Sequence, residues 1–77
     1  MTVDSVTVHG LRRACPGVYV RLRGDRRELL SRAGQAMAHR VATAALDTDL
    51  SGPDRVTVGH PVKLADGSYL TTFRVVL

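Results

Sequence analysis

The chain has 77 residues, room for one domain spanning 1–77 and too little for two. A chain this short buries only roughly 60–65% of the surface that its unfolded form exposes, so its core is small. Eleven Lys and Arg against seven Asp and Glu give a formal net charge of +4, and the single cysteine, Cys15, excludes an intrachain disulfide.

The first element expected is a strand over Thr2–His9, where Val6 and Val8 alternate with Ser5, Thr7 and His9 while Val3 falls on the other face. Residues 10–17 break the pattern with two glycines, Pro16 and the Arg12-Arg13 pair, and read as a loop. Gly17–Arg23 alternates cleanly: Val18, Val20 and Leu22 share one face, and Tyr19, Arg21 and Arg23 share the other. That pattern predicts a half-buried strand with a basic outer face, ended by Gly24.

A single helix is expected from Arg26 to about Leu46, with Asp25 as N-cap and Glu28 in a capping-box-like position. Steps of 100° gather Leu29, Leu30, Ala33, Met37, Val41 and Ala44 on one face, opposite Glu28, Ser31, Arg32, Gln35, His39 and Thr43. The small residues Ala33, Ala36 and Ala44, with Gly34 at the margin, suit close approach to a sheet.

Residues 47–54 form a polar connection, with Ser51-Gly52-Pro53 as its turn signal. Two strands follow. Arg55–Leu64 places Val56, Val58, His60, Val62 and Leu64 on one face, and Tyr69–Leu77 places Tyr69, Thr71, Phe73, Val75 and Leu77 on one face. Asp66-Gly67 reads as a two-residue hairpin turn, with both residues at positive φ, which sets Leu64 opposite Tyr69 and His60 opposite Phe73. Pro61 removes one donor, so the first of these strands is either an edge strand or bulges there. The expected fold is α+β, a single helix packed on an antiparallel sheet, in the order β-β-α-β-β.

Six arginines, Arg12, Arg13, Arg21, Arg23, Arg26 and Arg27, fall within sixteen residues and are opposed there only by Asp25. With Tyr19 available to stack on a base, they make the expected surface for a protein or nucleic-acid partner. The competing reading is compositional: ten of the eleven basic residues are arginine, and abundant Arg, Ala, Val and Gly follows from GC-rich codons. No helix-turn-helix, zinc-finger or RNA-binding-strand motif is present in the sequence.

Nor is a nucleophile signature, paired-carboxylate set or phosphate loop recognisable. His60 is expected to be partly buried and packed on Phe73, and His9 and His39 to be solvated. One thiol and three scattered histidines make a poor metal set, and Asp47, Asp49 and Asp54 are too sparse for a calcium loop. No catalytic residue, metal, cofactor or small-molecule substrate is therefore expected. Residues 1–9 contain Asp4 and lack the apolar run of a secretory signal, no segment is long enough to span a bilayer, and a reducing cytoplasm suits the lone cysteine.

The element order of Val18–Leu77, strand, helix, hairpin, resembles that of the dodecins, a family of small flavin-storage proteins. Dodecins stack flavin on a tryptophan, and this chain has none. The resemblance thus implies an architecture and not flavin binding. The leading expectation is a non-enzymatic interaction or assembly protein, a homo-oligomer or a small subunit of a larger complex, of the kind found among phage-type structural or host-directed small proteins. A basic nucleic-acid-binding module using the Arg12–Arg27 surface is the alternative.

Overall fold

The computed structural model describes residues 1–47 and 55–76. Its elements are β1 (Thr2–His9), β2 (Gly17–Gly24), α1 (Arg26–Leu29), α2 (Arg32–Leu46), β3 (Val56–Val58), β4 (Val62–Lys63) and β5 (Tyr69–Val75). All strand pairs are antiparallel, in the order β1-β2-β5-β3, with β4 pairing β5 as well. The α+β class stands. The order β-β-α-β-β is corrected to β-β-α-α-β-β-β, because the expected helix and the expected third strand are each divided.

The helix divides at Leu30-Ser31. Asp25 caps α1 as expected, its side chain accepting from the Arg27 backbone N–H at 2.8 Å. Ser31 then acts as a second N-cap, accepting from the Ala33 N–H at 3.2 Å while its hydroxyl donates to the Glu28 carbonyl at 2.6 Å. A serine hydroxyl competes with the backbone in just this way, which favours a cap over a helix interior. Gly34 makes the break compatible with tight packing: a Cβ there would lie 2.1 Å from the Leu29 carbonyl oxygen.

Because α2 starts afresh, its buried seam is Gly34, Ala38 and Ala42, with Met37, Val41 and Leu46 packed beside it. The expected seam through Leu30, Ala33 and Ala44 is corrected, since all three are exposed. Small residues four apart still bring α2 close to the sheet, chiefly over β2 and β5. The seam meets Val18, Val20 and Leu22 of β2 and Phe73 and Val75 of β5, all fully buried, as their alternation predicts.

The third expected strand divides at Gly59–Pro61, where the edge of the sheet loses its regular pairing. Pro61 thus marks an interruption on an edge strand. The turn is also longer than expected: Gly67 donates to Leu64 O at 3.0 Å and Leu64 donates to Ser68 O at 2.8 Å. Within this turn only Gly67 has positive φ, at 90°. This matches a three-residue turn closed by glycine in the left-handed region, in place of the two-residue form. The register therefore moves. Lys63 faces Tyr69 and Val58 faces Phe73, while His60 is exposed and does not pack on Phe73.

Asp47 closes α2 in the left-handed conformation (φ 52°), its N–H reaching the Ala44 and Thr43 carbonyls. The expected Ser51-Gly52-Pro53 turn, Asp49, Asp54 and Leu77 lie outside the described residues.

Candidate functional site

The helices cover one face of the sheet, and the other face is open. Antiparallel partners project to the same side. Ser5 opposite Arg21, Thr7 opposite Tyr19, and Arg21 opposite Thr72 therefore stand together on the open face. Ser5, Thr7, His9, Tyr19, Arg21 and Thr72 line an open depression of about 300 Å³. Its lining is made of hydroxyl, aromatic, imidazole and guanidinium groups, with no carboxylate.

His9 is not simply solvated. It is half-buried, and its ring lies 4.6 Å from that of Tyr19, tilted by 47°. Tyr19 is fixed in turn by its hydroxyl, which donates to the Cys15 carbonyl at 2.9 Å. Arg74, opposite Tyr19 on β5, donates from Nε and Nη2 to the Pro16 carbonyl at 3.1 and 2.9 Å. That acceptor is neutral, so the bonds hold the end of the β1–β2 loop without cancelling the positive charge of Arg74.

Arg23 differs. It forms a salt bridge with Asp66, and its Nε donates to Ser68 Oγ at 3.0 Å. Asp66 also accepts from the Ser68 hydroxyl and backbone N–H. These Ser68 bonds, reinforced by Arg23, lower the Asp66 carboxyl from its ordinary value of 3.8 to about 2. The Arg21 guanidinium, by contrast, has no hydrogen-bond or ion-pair partner among the described residues.

The six arginines close in sequence do not gather. Arg12 and Arg13 are exposed in the β1–β2 loop, at the end of the sheet that carries His9 and Gly17. Arg26 and Arg27 are exposed on α1, beyond the far end of β2. Eight strand residues at about 3.3 Å each hold these pairs roughly 25 Å apart. Comparison of the chain with protein-family models, curated proteins and solved structures finds no match.

Sequence reasoning found Tyr19 and Arg21 but missed Ser5, Thr7, His9, Thr72 and Arg74. The alternation of β1 and β5 did separate these residues from the apolar face. Their convergence depends on the pairing of β1 with β2 and of β2 with β5, which a single sequence does not specify.

A second surface lies at the outer edge of β1. The strand bulges between Val3 and Ser5, so Val3, Val6 and Val8 stand opposite Leu22, Val20 and Val18, all on the helix side. The expectation that Val3 faces away from Val6 is thereby corrected by the bulge. Although they share a face with the core, the three valines remain 38–47% exposed, because the helices lie over β2 and β5. Cys15 is a free, exposed thiol. Among the described residues no three His, Cys, Asp or Glu side chains could hold a metal ion, and no helix is long and apolar enough to cross a membrane.

Proposed function

We propose that the protein is a non-enzymatic assembly protein that pairs with a second copy of itself through β1. The observation carrying this reading is the apolar row Val3, Val6 and Val8 beside the outer edge of β1, which pairs with no other strand among the described residues. An edge strand exposes a row of backbone donors and acceptors, and exposed edges are commonly protected by charged side chains, proline, a β-bulge or a covering loop. The bulge of β1 lies at Val3–Ser5 and leaves Ser5–His9 in regular register. Thr2–His9 contains no Lys, Arg or Pro. In a chain of net charge +4 it carries only Asp4, so two β1 strands meet without the basic repulsion that opposes contact elsewhere.

Antiparallel pairing about Val6 joins two sheets and brings both valine rows together on one side. Each half-exposed valine that becomes covered contributes roughly 1 kcal/mol. Main-chain hydrogen bonds of the joined strands add to this gain and lost rigid-body freedom offsets much of it, so the association is modest, with a Kd on the order of 10 µM, or about −7 kcal/mol. A reducing cytoplasm is the setting that suits the exposed Cys15 thiol.

Light scattering across this concentration range tests the proposal. The wild type should pass from monomer to dimer, and Val6→Lys, which sets two ammonium groups near the two-fold axis, should weaken pairing at least tenfold with unchanged circular dichroism. A wild-type chain that stays monomeric well above the expected Kd overturns it.

A further inference from the structure

We infer that the open face of the sheet binds single-stranded nucleic acid, with one phosphate seated at Arg21. Arg21 is the central cation of the depression and lacks a compensating acid among the described residues. Around it stand the hydroxyls of Ser5, Thr7 and Thr72 and the imidazole of His9, all able to donate a hydrogen bond to phosphate oxygen. A guanidinium is the side chain best shaped for bidentate phosphate contact.

Two further features favour a polymer over a free anion. The positive charge continues beyond the depression, to Arg74 beside Tyr19 and to exposed Arg12 and Arg13 at the same end of the sheet. Tyr19 and His9 also place a paired aromatic surface next to Arg21, held by the Tyr19–Cys15 hydrogen bond, on which an unpaired base can stack. An open face of adjacent strands suits splayed bases better than it suits a duplex, whose bases are already stacked.

Every lining side chain comes from one chain, so binding does not depend on pairing through β1. The valine row lies on the opposite side of the sheet, and failure of either proposal leaves the other standing.

The test is fluorescence anisotropy with a labelled single-stranded oligonucleotide of about 12 residues, titrated between roughly 50 and 200 mM salt. Micromolar binding that weakens with salt is expected. Arg21→Gln should reduce affinity at least tenfold and lower the salt slope by nearly one contact. Arg26→Gln/Arg27→Gln, beyond the far end of β2, should change affinity by no more than about twofold. Tyr19→Leu should cost about tenfold with little change in salt slope, the signature of lost stacking.

Three outcomes overturn the inference. One is no binding at the lowest salt. Another is equal loss in the Arg21 and Arg26/Arg27 variants, which assigns binding to net charge alone. The third is binding of duplex, or competition by inorganic phosphate or a mononucleotide at similar concentration, which removes the single strand as the ligand.

Discussion

Thr71 is fully buried on the core side of β5, opposite Leu22, and its hydroxyl has no hydrogen-bond partner among the described residues. A hydroxyl taken from water into an apolar layer without a partner costs more than the same volume of methyl group. Thr71→Val keeps the branched shape that suits the strand and removes the orphaned oxygen. The variant should gain roughly 1 kcal/mol, raising the thermal midpoint by about 4–8 °C for a domain of this size. A lower midpoint would show that the hydroxyl finds a partner in solution. Asp66 shows the opposite balance: its oxygens are satisfied by Ser68 and Arg23, but its exposure leaves the salt bridge open to solvent screening.

The break between α1 and α2 rests on a contact that a methyl group destroys. Gly34→Ala normally favours a helix by about 1 kcal/mol, because alanine restricts the unfolded chain. Here the new Cβ meets the Leu29 carbonyl at 2.1 Å, and backbone at a capped joint cannot move aside as a flexible side chain can. The clash should dominate, with a net loss of about 2 kcal/mol in chemical denaturation. A gain would mean that α1 and α2 can merge into the continuous helix that the sequence suggests.

That suggestion shows where local pattern stops informing. The two central strands and the first N-cap leave clear marks: Val18, Val20 and Leu22 alternate, Phe73 and Val75 alternate, and Asp25 opens the helical region. The second cap was hidden because Ser31 falls at a spacing that also fits the polar face of an unbroken helix. The hairpin register is not legible because Asp-Gly suits both two-residue and three-residue turns, and the one added residue sets Lys63 in place of Leu64 opposite Tyr69. His60 leaves the core because the strand is interrupted between β3 and β4, which sets Val58 opposite Phe73. At the candidate site, Arg21 and Tyr19 were legible from alternation. Their neighbours His9 and Thr72 are brought in by partner strands, and Arg26 and Arg27 are carried away by the length of β2.

Across the whole molecule, the helices cover one side of the sheet, and the described core has nine buried hydrophobic residues, two of them alanine. Such a core leaves the folded state little in reserve. If β1 pairs with a second copy, pairing and folding are linked by mass action, because the unfolded chain has no formed edge to offer. The thermal midpoint of the wild type should then rise by about 5 °C between roughly 1 and 100 µM protein, a range that straddles the proposed Kd. Val6→Lys should show a flat midpoint at the value that the wild type approaches on dilution. This comparison separates pairing from intrinsic stability. A substitution that merely damaged the fold would lower the midpoint at every concentration, whereas loss of pairing removes only its dependence on concentration. A flat wild-type profile would mean that the valine row is not covered by a second copy, and the β1 proposal would fail on that result alone.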